Sequence, residues 1–171
     1  MSKCKARAFG IKSSFFALVA LGLFTGLATA QAPGKNAIAS AHPNATVAGR
    51  SVLDSGGNAF DAAIAVAAAL AVVEPYSSGI GGGGFFLLHL AEDGNNVFLD
   101  AREKAPKNAS SDMYLDADGE FVRKRSLDGA LAAAVPGLPA ALAYMALNYG
   151  NLPLAESLSP AILLARGGFE I

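Results

Sequence analysis

The side chains best able to do chemistry gather most densely in Asp100-Ala101-Arg102-Glu103-Lys104-Ala105-Pro106. Arg102 stands out among them. A guanidinium presents a rigid fork of donors that can grip a carboxylate through two parallel hydrogen bonds. The same arginine could equally be held in an ion pair with Asp100, Glu103 or another carboxylate, and residue chemistry by itself leaves both readings open.

Other constellations point away from the common catalytic devices. Serines are plentiful, but no G-x-S-x-G elbow occurs, so a hydrolase triad lacks support. The sequence has two histidines, His42 beside a proline and His89 in a predicted strand, and one cysteine, Cys4, too few to assemble a structural zinc set. Nothing near His89 in sequence forms a nucleophile pair, so it reads as a strand residue facing a polar neighbour. Gly79, Gly81 and Gly84 match G-x-G-x-x-G by spacing, yet a dinucleotide site needs strand, glycine loop and helix in that order. Here the order is helix, glycines, strand, so these glycines are expected to let the backbone turn sharply and lie close to another layer or a ligand. Asp116-Ala117-Asp118-Gly119 hints at a calcium loop. With Gly119 at the sixth position, however, Tyr114 and Arg125 fall where the first and last carboxylates belong, and the reading fails. Arg123-Lys124-Arg125 reads as a solvated basic surface without a role.

The elements that must position Arg102 can be traced from local signals. Lys35 to Ala41 reads as a short strand. From His42-Pro43-Asn44 a helical segment keeps Val47, Ala48, Val52 and Leu53 at rough helical spacing until Gly56-Gly57 stops it. Asn58 and Asp61 stand as N-cap and capping-box partner ahead of Ala62 to Val73, a helix apolar all round and therefore expected to be buried. Pro75 follows its end. After the glycine run, Phe85 to Leu90 is strongly β-prone, Asp93-Gly94 supplies a turn and Val97-Phe98-Leu99 a second strand. That hairpin delivers the Asp100–Pro106 cluster at a strand exit, where loops held by rigid elements carry function. Ser110 to Leu115 predicts a helical turn and Asp116 to Glu120 a polar loop. Pro139 opens a helix running to about Tyr149 and closed by Gly150, and Leu154 to Ala165 predicts another, kinked at Pro160.

The first stretch is set apart by Lys3, Lys5, Arg7 and Lys12, an apolar run from Ser13 to Leu27, and Ala28-Thr29-Ala30 before Gln31. Residues 1–30 therefore read as a signal peptide cut between Ala30 and Gln31, leaving 31–171 as the mature part of an exported, periplasmic or secreted protein. The apolar run is shorter than the roughly 20 residues of a spanning helix, so no stable membrane anchor is expected. Cleavage removes Cys4 and hence any disulfide framework. It also removes four basic residues and no acid, so 13 basic against 14 acidic becomes nine against 14, a net charge of −5. Nucleic acid is thereby disfavoured as a partner. The chain stops at Phe169-Glu170-Ile171, just after Gly167-Gly168, where a further element would be expected, and so reads as a fragment.

Three motifs in this order, Gly56-Gly57-Asn58-Ala59-Phe60-Asp61-Ala62-Ala63, Gly79-Ile80-Gly81-Gly82-Gly83-Gly84-Phe85 and Asp100 to Pro106, with the Pro160–Phe169 segment, resemble the amino-terminal signature of γ-glutamyltransferases. The resemblance runs from about Ala37 to the end. It implies an α+β chain forming an incomplete part of a four-layer αββα N-terminal-nucleophile hydrolase fold, from a precursor that cuts itself into a large and a small subunit. It implies that the nucleophile, a threonine leading the small subunit, is not in this chain, so that no catalytic residue is assigned here and the chain alone is expected to be inactive. The partners implied are the rest of the large subunit, the small subunit and a γ-glutamyl substrate such as glutathione; neither metal nor organic cofactor is implied. One residue carries over: Arg102 matches the arginine that grips the α-carboxylate of the γ-glutamyl group. Ala101 and Lys104 depart from the family's usual residues and leave substrate preference open. A cephalosporin (glutaryl) acylase of the same superfamily and a non-catalytic periplasmic binding module are the alternatives.

Overall fold

A computed structural model describes residues 35–170; the expected leader, with Ala30 and Gln31, lies outside them. The unit beginning at Asn36 holds every element below. Residues 36–40 have no regular secondary structure and pair with no strand among the described residues, so the strand expected over 35–41 does not form. β-propensity without a neighbouring ladder leaves backbone groups unmatched and does not make a strand.

Helix α1, Pro43–Asp54, starts with proline in its first turn and with Nδ1 of His42 accepting a hydrogen bond from the Asn44 amide at 3.1 Å. His42, unassigned from sequence, is thus a helix cap. Gly56, at φ 94°, takes the chain out of the helix in a conformation that suits glycine.

Helix α2, Ala59–Val73, carries the expected capping box in full. The Asn58 side chain accepts from the Phe60 and Asp61 amides, and the Asp61 carboxylate accepts from the Asn58 amide at 2.9 Å. Asp61 is completely buried, and its oxygens also face the Asn151 amide at 2.9 Å, the Leu152 amide at 3.4 Å and the Ser157 hydroxyl at 3.4 Å. Gly150 makes room, because a Cβ there would stand 2.5 Å from Asp61 Oδ1. The capping pattern was local and legible; the far-side donors were not. Ile64, Ala65, Ala68, Ala69 and Val73 make α2 the centre of the core, with α1 against one side and α4 and α5 against others. Gly49 of α1 lets that helix come close: a Cβ would meet Val66 Cγ2 at 2.7 Å and Ile38 Cδ1 at 3.0 Å.

Strands β1, Gly84–Leu90, and β2, Asn95–Ala101, form the expected antiparallel hairpin, with Leu87 opposite Phe98 and Gly84 opposite Ala101. Its turn is stabilised by Asp93, whose Oδ1 accepts from the Asn95 amide at 3.0 Å, and passes through Gly94 at φ 71°. Alternation gives the sheet two different faces. Phe86, Leu88, Val97 and Leu99 pack on the helical core, whereas Phe85, Leu87 and Phe98 are exposed, with the Phe85 and Phe98 rings stacked 5.5 Å apart. His89 meets Asn96 across the ladder at 3.0 Å, the polar strand neighbour expected for it.

Beyond the hairpin, residues 111–114 form a turn, and Asp116 Oδ1 closes the polar loop by accepting from the Asp118 and Glu120 amides. The basic trio begins a five-residue helix, α3, Arg123–Leu127, and a 3-10 turn follows at Ala130–Ala132. The trio is exposed, and the Arg125 guanidinium donates to the Leu115 carbonyl. Helix α4, Leu138–Tyr149, has Pro139 in its first turn and ends at Gly150. Helix α5, Leu154–Gly167, runs two residues past the expected end and contains Pro160. No helix among the described residues is long and apolar enough to cross a membrane.

Candidate functional site

The exit of β2 brings Arg102 to a cleft of about 380 Å³. One wall is Asp100, Arg102 and Lys104; the other is Val135 to Gly137 with Ala140, Ala141 and Tyr144 from α4. The wall positions at the cap and on α4 follow helical spacing, 137, 140, 141, 144, and so present one face. That spacing is visible in the sequence, but nothing there says which strand the face meets.

Three local contacts fix the backbone around Arg102. Ala101 is buried and paired with Gly84 in the sheet. Asp100, one of the possible ion-pair partners, instead accepts a hydrogen bond at Oδ1 from the Arg102 amide at 3.0 Å. Lys104 then forms an antiparallel bridge with Val135: its amide donates to the Val135 carbonyl at 3.0 Å and its carbonyl accepts from the Val135 amide at 2.8 Å.

The guanidinium itself is in contact with Glu103, Nη2 to Oε2 at 3.3 Å. The Arg102 side chain is 59% exposed and that of Glu103 25%. The contact reaches ion-pair distance without hydrogen-bond alignment, since Oε2 of Glu103 is shut off from solvent and accepts no hydrogen bond. Both readings left open by the sequence therefore meet at one residue: Arg102 lines a cleft and also touches a neighbouring acid. A single misaligned contact leaves most of the donor fork uncommitted among the described residues, so the pairing does not lock the side chain. The arrangement can hold a small carboxylate at the cleft mouth, against a wall of alanine, valine and proline with one tyrosine. Lys104 and Tyr144 were not assigned roles from sequence, and the structure adds both to the cleft lining.

Residues 45–171 match the family profile described as Gamma-glutamyltranspeptidase. The chain is 46% identical over 152 residues to a glutathione hydrolase proenzyme of Pseudomonas sp. (strain A14), an alignment covering 87% of this chain and 26% of that protein. It is 43% identical over 136 residues to an acylase ACY 1 proenzyme of Pseudomonas sp. (strain V22), covering 76% of this chain and 24% of that one. Among solved structures, the Helicobacter pylori gamma-glutamyltranspeptidase superposes with a TM-score of 0.73 at 50% identity, covering 81% of this chain and 41% of its own. The chain spans about a quarter of the length of the curated relatives it matches. A helical layer on one face of a hairpin, superposing in this way, defines part of an N-terminal-nucleophile hydrolase fold of α+β class. More particularly, the chain belongs to the gamma-glutamyltranspeptidase family.

Proposed function

We propose that this chain is the Arg102-bearing part of an exported γ-glutamyltransferase. In this reading Arg102 grips the α-carboxylate of a γ-glutamyl group, as in glutathione, and so holds the γ-amide in line for attack. The attacking group is a threonine supplied by a small subunit outside this chain. Its hydroxyl adds to the γ-carbonyl while its own amine takes the proton; the amide nitrogen leaves with a proton, and water or an amine then takes the acyl group. The observation that carries the reading is an arginine with a largely uncommitted donor fork, set at the mouth of an otherwise mainly apolar cleft. Family membership supports it.

A second reading is supported by the likeness to an acylase: a glutaryl group bears the same terminal carboxylate and lacks only the α-amine, so Arg102 would serve either substrate. Assay of the full-length protein on γ-glutamyl and glutaryl anilides separates the two. Faster turnover of the γ-glutamyl compound is expected; faster turnover of the glutaryl compound would transfer the assignment to the second reading, and turnover of neither would leave only a binding module. Export rests on the basic and apolar pattern of residues 1–30. It predicts a protein outside the cytoplasm whose amino-terminal sequence begins at Gln31; a protein retained in the cytoplasm would refute export, and an exported form still starting at Met1 would refute the cleavage.

A further inference from the structure

We propose that Gly83 and Gly137 are positioning residues, both packed directly on the Ala101–Arg102 peptide and so fixing the point from which the Arg102 side chain leaves. The inference rests on the reading of Arg102 as a carboxylate-binding group and adds to it the device that aims it.

The packing against this peptide leaves no room for a side chain. A Cβ added to Gly83 would stand 2.9 Å from Arg102 Cα and 2.9 Å from the Glu103 nitrogen, and would overlap the Ala101 carbonyl oxygen outright. A Cβ added to Gly137 would overlap the same oxygen and stand 2.6 Å from both the Ala101 carbonyl carbon and the Arg102 oxygen. All of these are backbone atoms, which cannot swing aside as the end of a flexible side chain can. Neither glycine is at positive φ, so space rather than backbone conformation demands glycine at both positions. The rest of the glycine run is different: a Cβ on Gly81 or Gly84 meets nothing within 4 Å, and one on Gly79 meets its nearest atom at 4.0 Å.

The two walls of the clamp are also joined to each other. The Gly82 carbonyl accepts from the Gly137 and Leu138 amides, both at 3.2 Å, which ties the glycine run to the start of α4. The pairing of Ala101 with Gly84 upstream and the Lys104–Val135 bridge downstream complete the hold. The backbone of Arg102 is therefore fixed before a ligand arrives, and only the side-chain rotamers remain to be settled on binding. Preorganisation of this kind lowers the ordering cost of holding a substrate in line.

The test uses the full-length enzyme and two anilides, the γ-glutamyl compound and its 4-aminobutanoyl analogue, which is the same acyl group without the carboxylate. Gly137→Ala and Gly83→Ala are each expected to raise KM for the γ-glutamyl anilide at least about tenfold while kcat stays within about threefold. Turnover of the analogue should fall by a clearly smaller factor than that of the γ-glutamyl anilide, and Gly81→Ala should change neither substrate. Adding Gly137→Ala to Arg102→Lys should cost nothing further, because both changes disable the same contact. Should an alanine variant fail to fold, Val135→Pro carries the test: it deletes the amide donated to the Lys104 carbonyl, fixes φ at position 135 and restricts Ala134, so it perturbs the downstream end of the hold and should raise KM for the γ-glutamyl anilide about threefold. A KM that rises in Arg102→Lys but stays at the parent value in the glycine and Val135 variants overturns the clamp and leaves Arg102 its role. Equal losses on both anilides, or additive losses in the double variant, overturn it as well. An unchanged KM in Arg102→Lys overturns the reading beneath the clamp, and the clamp with it.

Discussion

At the scale of single residues, the chemistry turns on how firmly Glu103 holds Arg102. One misaligned contact to a solvent-shielded Glu103 oxygen occupies at most one donor of the fork, whereas an aligned, bidentate carboxylate from a substrate offers charge-assisted hydrogen bonds roughly twice as strong as neutral ones. An incoming carboxylate should therefore displace Glu103 from the guanidinium. Lysine at this position keeps the charge and loses the fork, so Arg102→Lys is expected to raise KM for a γ-glutamyl substrate by about 10- to 100-fold with kcat little changed. Steady-state kinetics on the complete enzyme checks it, and an unchanged KM would remove the assignment. The sequence supplied the residue and its strand exit, because strand, turn and charge cluster are contiguous. It could not supply the opposite wall, since Gly137, Ala140 and Tyr144 meet β2 only after the chain has folded back upon it.

At the scale of elements, the N-terminus of α2 does more than begin a helix. Asp61 is a buried carboxylate whose described partners are all neutral donors, one from the N-cap of its own helix and three from the α4–α5 connection and α5. Removing it strands backbone amides away from water, each at a cost of about 1–3 kcal/mol. Asp61→Ala should therefore destabilise the protein by about 3 kcal/mol or more, read as a fall in the urea midpoint, and a shift worth under about 1 kcal/mol would contradict this account. Asn58 and Asp61 were legible as a capping box because the pattern spans four adjacent residues. The expected strand at 35–41 failed for the complementary reason: a strand is defined by a partner, and local propensity names none. The five-residue helix in the basic trio was likewise not foreseen, being too short to leave a periodic pattern.

At the scale of the whole molecule, the hairpin presents an apolar outer face that no described residue covers, with Phe85 60%, Leu87 75% and Phe98 63% exposed. A two-stranded sheet is marginal in water by itself, and a stacked phenylalanine pair beside a leucine is the kind of surface that a second layer buries. Residues 36–170 prepared alone are therefore expected to bind a hydrophobic dye and to self-associate. A monomer that unfolds cooperatively and binds no dye would show that the face tolerates water. The sequence made this layer visible only in part. The β-prone run from Phe85 to Leu90 announced a strand, and the structure shows which of its two faces the helices take.

The depth at which Asp61 is set has a consequence for the order of events during synthesis. Its amide donors at Asn151 and Leu152 lie 90 and 91 residues further along the chain, and Ser157 lies 96 away. While the ribosome is still making the hairpin, this carboxylate has no interior to enter and stays hydrated. The end of α2 that it anchors acquires its full set of partners only when residues 151–157 are in place, so this corner of the core depends on contacts of long sequence separation and closes late in folding.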